Sequence, residues 1–180
     1  MKIFLLLFIA TFFTSCDLAV NENACKKPDK YDLANAVIAE TAFQLQRDKN
    51  LIPFGTGRQI WDQIQMLSLT FICYKEMDII DARELMMDAS KVMSHIINSN
   101  EAIRPYLCEY PFNANHLDIS IFFRKPNDEY NFGKLSICSM SEGKIRYDVR
   151  NSRYDFKTVL YETYEEAVEK LNAIGSQMEV

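Results

Sequence analysis

Histidine, tryptophan and closely spaced cysteines are scarce in this chain. Its 180 residues include two histidines, one tryptophan and five cysteines. Neither histidine lies in a His-Glu-x-x-His motif, and no two cysteines have the Cys-x-x-Cys spacing. The patterns that hold a zinc ion or form a thioredoxin-type redox site are therefore missing. The sequence predicts no metal site and no cofactor.

Glycine and proline are also scarce, with five residues of each. Beyond Lys30 there is no internal repeat, low-complexity tract or linker between domains. Hydrophobic residues make up 48% of the chain and charged residues 25%, which is typical of a globular protein and not of a disordered one. We therefore interpret residues 31–180 as a single globular domain. The net charge of −5 argues against a nucleic-acid partner.

The glycines form one short motif, Gly55-Thr56-Gly57, which is followed by Arg58. A phosphate-binding loop needs the Walker spacing and its lysine, and both are missing here. We interpret residues 51–58, which also contain Pro53, as a turn between a helix and a strand.

Long apolar runs are confined to the start of the chain. Lys2 is followed by an unbroken apolar run from Ile3 to Phe13 and then by Thr14 and Ser15. The run is too short to span a bilayer as a helix, but its length suits the apolar region of a secretory signal peptide. An ordinary signal peptidase cutting after Ser15 would meet the bulky Phe13 where it prefers a small residue.

The residues Phe13-Thr14-Ser15-Cys16 resemble the lipobox of bacterial lipoprotein precursors. The resemblance covers residues 1–16, and Phe13 departs from the aliphatic residue that is commoner there. It implies that residues 1–15 are a signal peptide and that Cys16 becomes the lipidated first residue of the mature protein, anchored to a membrane by acyl chains such as palmitate. Residues 16–30 would be a tether in the bacterial cell envelope, at an inner or an outer membrane. The alternatives are secretion without lipid, into the periplasm or beyond, and an apolar segment that stays uncleaved as an anchor.

Lipidation of Cys16 would leave four cysteines: Cys25, Cys73, Cys108 and Cys138. In an exported protein four cysteines permit two disulfides, with three ways of pairing them. A core of this size does not need such links, so buried free thiols are an equally good interpretation. The sequence leaves both open.

The periodicity of apolar residues predicts an α+β fold. We expect a two-layer sandwich, in which a mostly antiparallel sheet packs its helices on one face. The predicted helices cover Tyr31–Arg47, Asp78–Asn98 and Thr163 to Gly175. Predicted extended segments cover Ile60–Tyr74, Leu117–Arg124, Phe132–Met140, Lys144–Arg150 and Phe156–Tyr161.

Cys108 and His116 are the only cysteine and histidine that lie near each other in the sequence. A catalytic thiolate needs a neighbouring base and a helix N-terminus or a positive group to lower its pKa. The sequence around Cys108 indicates neither, so we interpret Cys108 as a core or disulfide residue. A small exported hydrolase with a site near Cys108 and His116 is the alternative function.

Two pairs of acids could also serve catalysis. Glu109 with Asp118, or Asp128 with Glu129, could hydrolyse a glycan if their carboxyl groups faced each other across a cleft. Most acidic side chains lie in solvent, and we expect the same of these.

The segment 124–157 is basic in an otherwise acidic chain, with eight Lys or Arg residues and five Asp or Glu residues. Lys144, Arg146 and Arg150 alternate along one predicted strand and share a face, near Tyr130, Tyr154 and Phe156. Such a face could bind an anionic glycan, a lipid headgroup or an acidic protein surface in the envelope. The other interpretation is an ordinary solvated sheet face. Since no site has two independent supports, we expect a non-catalytic binding or scaffolding domain.

Overall fold

A computed structural model describes residues 28–178, which form three helices and a six-stranded sheet. The predicted signal peptide, Cys16 and Cys25 lie outside the described residues. The helices are α1 (Lys30–Lys49), α2 (Ile79–Ser99) and α3 (Tyr164–Met178). The strands are β1 (Ile52–Ile60), β2 (Ile64–Cys73), β3 (Leu117–Phe123), β4 (Leu135–Ser141), β5 (Lys144–Arg150) and β6 (Phe156–Thr163). Short 3₁₀ helices cover Arg104–Tyr106 and Ala114–His116.

The strands lie across the sheet in their order along the chain. All neighbouring pairs are antiparallel except β2 and β3, which are parallel and are joined through α2. A parallel pair needs such a crossover, because the end of its first strand and the start of its second lie at opposite edges of the sheet. The protein is therefore α+β with a mostly antiparallel sheet, as predicted.

Side chains at the helix N-termini accept hydrogen bonds from free backbone N–H groups. Asp29 caps α1 and forms a capping box with Asp32. Asp78 caps α2 by accepting from the N–H groups of Ile80 and Asp81. At α3 the Thr163 hydroxyl accepts from the N–H of Glu166, whose carboxylate accepts in return from the N–H of Thr163. These caps confirm the predicted helix starts.

Buried side chains alternate along the central strands. In β3 the residues Leu117, Ile119, Ile121 and Phe123 are buried, while those between them are half-buried. The core combines such residues from β2 to β5 with residues of all three helices. Cys138 of β4 lies against α2, with its Sγ 3.9 Å from the carbonyl oxygen of Ala82.

The predicted turn at residues 51–58 is wrong, because residues 52–58 belong to β1. β1 lies at the edge of the sheet and pairs with a strand on one side only. Pro53, which has no N–H to donate, is therefore tolerated there. A register shift follows Pro53. Gly57 lies so close to β2 that a Cβ atom there would be 3.2 Å from Cβ of Ser68. The glycines therefore permit a close strand pair, and the tight turn falls later, between β1 and β2.

The predicted end of the last helix at Gly175 is also wrong, since α3 continues to Met178. Gly175 has an ordinary helical backbone here, and an added Cβ would meet open space. The predicted start of β4 at Phe132 is three residues early, because Phe132 forms only an isolated bridge to Arg150. Among residues 28–178, no helix is both long and apolar enough to cross a membrane.

Candidate functional site

The three basic residues predicted to share one face of β5 have different environments. Lys144 and Arg146 are exposed, and Arg146 Nε lies 2.8 Å from a carboxylate oxygen of Asp148. Arg150, by contrast, is only 7% exposed. Arg150 therefore does not join the other two in one solvated patch.

Arg150 lies between two aromatic rings at the end of β5. Its guanidinium carbon is 3.6 Å from the ring centre of Tyr130 and 4.1 Å from that of Phe156. Its Nη1 donates to the carbonyl oxygen of Arg153 at 2.7 Å. Guanidinium groups stack on aromatic faces in this way because they are planar and weakly hydrated. Of the three aromatics that the sequence placed near this face, Tyr130 and Phe156 contact Arg150, whereas Tyr154 is 85% exposed and lies by the guanidinium group of Arg153.

A second arginine, Arg124, lies at the same end of the sheet, directly after β3. Its guanidinium carbon is 5.7 Å from the ring centre of Phe54 and 5.6 Å from that of Tyr130. Its Nη1 donates to Asp128 at 2.8 Å, and this hydrogen bond lowers the pKa of the Asp128 carboxyl. Arg124 and Arg150 therefore share the ring of Tyr130.

Exposed aromatic rings surround the two arginines. Phe54 is 62% exposed and Phe132 is 55% exposed, and it is their grouping with other rings that sets them apart from single exposed apolar side chains. The ring of Phe132 is 6.3 Å from that of Tyr130. We call the whole set the arginine–aromatic surface; it consists of Phe54, Arg124, Tyr130, Phe132, Arg150 and Phe156.

Sequence reasoning identified Arg150 but missed Arg124 and Phe54. A usable signal was present, because alternate strands of an antiparallel meander end at the same edge of the sheet. β3 and β5 are two such strands. Arg124 directly follows β3, and Arg150 is the last residue of β5. The place of Phe54 depends on β1, which the sequence did not predict as a strand.

A separate cluster brings Cys108 and His116 together. The Cys108 Sγ is 3.4 Å from Nδ1 of His116, and Nε2 of His116 is 2.9 Å from a carboxylate oxygen of Glu109. The ring of Phe112 stacks on the imidazole at 5.0 Å. The sequence placed these residues near each other, and the structure adds a carboxylate to the pair.

The imidazole in this cluster also contacts a backbone carbonyl. His116 Nδ1 is 2.9 Å from the carbonyl oxygen of Gln65, which is closer than the Cys108 sulfur. A carbonyl oxygen accepts only, so an Nδ1 that bonds to it is a donor and has no lone pair to serve as a base for Cys108. Burial, together with the charge of Glu109, raises the pKa of the Cys108 thiol. Both features disfavour an activated thiolate.

The other predicted acids have partners of their own. Asp118 accepts from the Ser68 hydroxyl at 3.3 Å. Asp128 pairs with Arg124, and Glu129 pairs with Lys125 at 3.7 Å. No group of three or more His, Cys, Asp or Glu side chains that could hold a metal ion is present in the described part of the chain.

Cys73, Cys108 and Cys138 are free thiols. Cys73 and Cys138 are buried, and burial raises the pKa of both. The interpretation as buried free thiols is thus confirmed for these two, and no disulfide links the three cysteines within residues 28–178. Cys25, the fourth, lies outside them.

Comparison with known proteins adds no relative. The chain matches no family model, no curated protein and no solved structure.

Proposed function

We propose that this protein is a lipoprotein of the bacterial cell envelope, anchored through Cys16, whose domain binds a partner without catalysing a reaction. The support for the anchor is the apolar run of residues 3–13 followed by Thr14-Ser15-Cys16. Each buried methylene group contributes about 0.8 kcal/mol, so two or three acyl chains hold a protein durably to a membrane. Residues 16–30 then serve as the tether.

The binding function is carried by one observation, the arginine–aromatic surface. Exposed aromatic rings with stacked arginines are the side chains enriched where proteins bind partners. Phe54 and Phe132 remain more than half exposed, and Arg150 is held between rings with no opposing acid in the described residues. This combination favours a partner that supplies apolar contact and negative charge.

The position of this surface suggests a partner away from the anchor. The chain enters the fold at Lys30, whose amine donates to the carbonyl oxygens of Trp61 and Asp62 at the turn between β1 and β2. Arg124 lies at the other end of β2, where its N–H donates to the carbonyl of Cys73. At about 3.3 Å per residue, the two ends of β2 are roughly 30 Å apart. The arginine–aromatic surface thus lies at the end of the sheet away from the start of α1, and the proposed partner is a glycan or protein in the envelope.

We also propose the finer architecture of a two-layer sandwich with the helices on one face of the sheet. The alternation of buried and half-buried residues in β3 supports it, as does the contact of Cys138 with α2. The opposite face, which holds Arg146 and the ring of Phe122, is then left open. Phe54 contacts Phe122 there, with ring centres 6.5 Å apart.

Two experiments test the proposed function. Replacing Cys16 with alanine should stop lipidation, so the protein leaves the membrane fraction or stays unprocessed, whereas Cys25→Ala should fractionate as the wild type does. Unchanged processing and fractionation of Cys16→Ala would refute the anchor. For binding, a photo-crosslinking amino acid at Phe132 should capture a partner in the native envelope. The same group at Phe43, a 64% exposed phenylalanine of α1 that also lies by an arginine, should not.

The hydrolase is the second candidate, and the 3.4 Å distance between Cys108 Sγ and His116 Nδ1 is the observation that favours it. The bond of Nδ1 to the Gln65 carbonyl and the raised pKa of Cys108 oppose it. The reactivity of the Cys108 thiol distinguishes the hydrolase from the non-catalytic binding domain.

A further inference from the structure

The one tryptophan of the chain is exposed at the turn between β1 and β2. Trp61 is 69% exposed, and its backbone N–H donates to the carbonyl oxygen of Gln63 at 3.1 Å within that turn. Tryptophan is highly buried on average, because its large ring gains from leaving water. A single exposed ring is nevertheless common at protein surfaces, so its meaning depends on its neighbours.

The start of α1 lies against this turn and brings a second exposed ring. The Lys30 amine donates to the carbonyl oxygens of Trp61 and Asp62 and lies 5.7 Å from the ring centre of Tyr31. Tyr31 is 44% exposed, and the guanidinium carbon of Arg58 is 5.9 Å from the same ring centre. Two exposed aromatic rings and two cations thus form one cluster. We call it the entry patch; it consists of Lys30, Tyr31, Arg58 and Trp61.

The entry patch includes the first residues of the domain after the proposed anchor. Lys30 follows Cys16 by fourteen residues, which span at most about 50 Å when fully extended. A short linker holds a domain at a local concentration on the order of millimolar, so even a weak contact with the surface at its other end is populated. The arginine–aromatic surface lies a further 30 Å or so away, at the other end of β2. The end of the sheet that carries the entry patch is therefore the end held closer to an anchor at Cys16.

We propose that the entry patch docks on the surface of the bilayer that holds the lipid anchor, with the indole of Trp61 in the headgroup layer. This rests on the proposed anchor at Cys16 and adds the orientation of the domain. Tryptophan and tyrosine are enriched at membrane interfaces, where the ring meets apolar atoms and its N–H or O–H group meets headgroups and water. Lysine and arginine place their charged ends beside lipid phosphates while their carbon chains cover apolar atoms. The entry patch contains side chains of both kinds.

Acidic side chains near the entry patch determine how the contact depends on lipid charge. Asp62 is exposed in the turn itself, and Asp29 and Asp32 lie at the start of α1, where they accept hydrogen bonds from backbone N–H groups. These acids offset the two cations, so the rings and not a strong positive field carry the contact. Docking should therefore occur on zwitterionic phosphatidylcholine as well as on vesicles that also contain anionic phosphatidylglycerol.

The fluorescence of the single tryptophan tests the docking directly. The lipidated protein, purified from membranes, is reconstituted in phosphatidylcholine vesicles whose acyl chains are brominated near the headgroup end. Its emission is compared with that in unbrominated vesicles. Bromine quenches only rings that contact it closely, so the emission of Trp61 should fall by about half or more if the ring lies at the interface.

A matched variant moves the indole to the opposite end of the sheet. Trp61→Phe combined with Tyr154→Trp places it between β5 and β6, at a position that is 85% exposed. Bromine should leave this emission unchanged, while acrylamide in the water should quench it at least about twofold more strongly than it quenches Trp61. Equal bromine quenching at the two positions would show a domain without a preferred orientation. No bromine quenching at Trp61 would show a domain that stands clear of the bilayer, as a protein-binding patch would. Either result overturns the proposal.

The second ring of the entry patch has its own pair of variants. Tyr31→Ser should lower the bromine quenching of Trp61 by about half, because one of the two rings that contact the interface is lost. Tyr154→Ser removes an exposed ring outside the entry patch and should leave the quenching as it is. Equal quenching in these two variants would exclude Tyr31 from the contact and overturn the patch as proposed.

Flotation of the same vesicles on a density gradient tests the anchor separately. Protein that floats without bromine quenching at Trp61 keeps the anchor and overturns the docking alone. Protein that does not float refutes the anchor at Cys16 and the docking with it. Protein that floats and is quenched at Trp61, but not at position 154, supports both.

Discussion

Arg83 of α2 and Glu162 of β6 form a two-point ion pair across the core, with Nε–Oε1 and Nη2–Oε2 distances of 2.7 and 3.1 Å. The Glu162 side chain has no exposed surface. It also accepts from the Tyr147 hydroxyl at 2.6 Å and from the Lys170 amine at 2.7 Å. One carboxylate therefore joins α2, β5, β6 and α3.

Replacing Glu162 with glutamine should destabilise the protein by about 3 kcal/mol, because Arg83 would keep a buried charge without its partner. Urea denaturation measures this change. The control is Asp88→Asn, which removes the more exposed pair between Asp88 and Lys49 and should cost at most about 1 kcal/mol. Equal losses of stability in Glu162→Gln and Asp88→Asn would show that the buried ion pair of Glu162 contributes no more than the more exposed pair of Asp88.

The same carboxylate should make stability depend on pH. Burial alone would raise the pKa of Glu162, but hydrogen bonds from Arg83, Lys170 and Tyr147 outweigh it and lower that pKa. A lowered pKa in the folded state means that the contribution is fully present above the unfolded pKa of about 4.3 and is lost as the pH falls through the folded pKa. The stability difference between wild type and Glu162→Gln should thus be largest near neutral pH and shrink below pH 4.3. A difference that stays constant to pH 3 would contradict this.

Periodicity predicted α2 well but could not predict this ion pair. The apolar stripe of α2 includes Ala82, Leu85 and Met86, and it gave the right helix and the right buried face. Arg83 is buried as well, because its partner comes from a strand 79 residues further along the chain. A local pattern carries no information on such a partner, so a charged residue within a helix is assigned to solvent.

The candidate site shows the same limit. The alternation of residues along β5 identified Arg150, because alternation is a property of a single strand and can be seen in the sequence. The ring of Tyr130 shared by Arg124 and Arg150 could not be identified, because its place depends on β-bridges that Tyr130 and Phe132 make to the ends of two different strands. The edge strand β1 was missed because Pro53, Gly55 and Gly57 indicate a turn unless the neighbouring strand is known.

Two glycines, Gly143 and Gly175, should respond oppositely to alanine. Gly143 has a φ of +69°, and a Cβ there would lie 2.4 Å from Oδ1 of Asn115, so Gly143→Ala should cost more than about 1 kcal/mol. Gly175 lies within α3 with open space around it, so Gly175→Ala should stabilise by up to about 1 kcal/mol. Thermal melts of both variants provide the measurement. A loss of stability in Gly175→Ala would contradict the extension of α3 beyond that residue.

The thiol of Cys108 decides between the binding domain and the hydrolase. Because burial raises its pKa, we expect alkylation by iodoacetamide to be slow at neutral pH and to accelerate only as the pH rises above the ordinary thiol range. Cys108→Ser supplies the background, since the buried Cys73 and Cys138 should react only on unfolding. Glu109→Gln removes a charge that helps to raise the pKa of the Cys108 thiol, so it should leave the rate unchanged or increase it while His116 Nδ1 stays bonded to Gln65. A fast reaction that levels off below pH 7, and that slows in Glu109→Gln, would show a thiolate–imidazolium pair and restore the hydrolase as the better function.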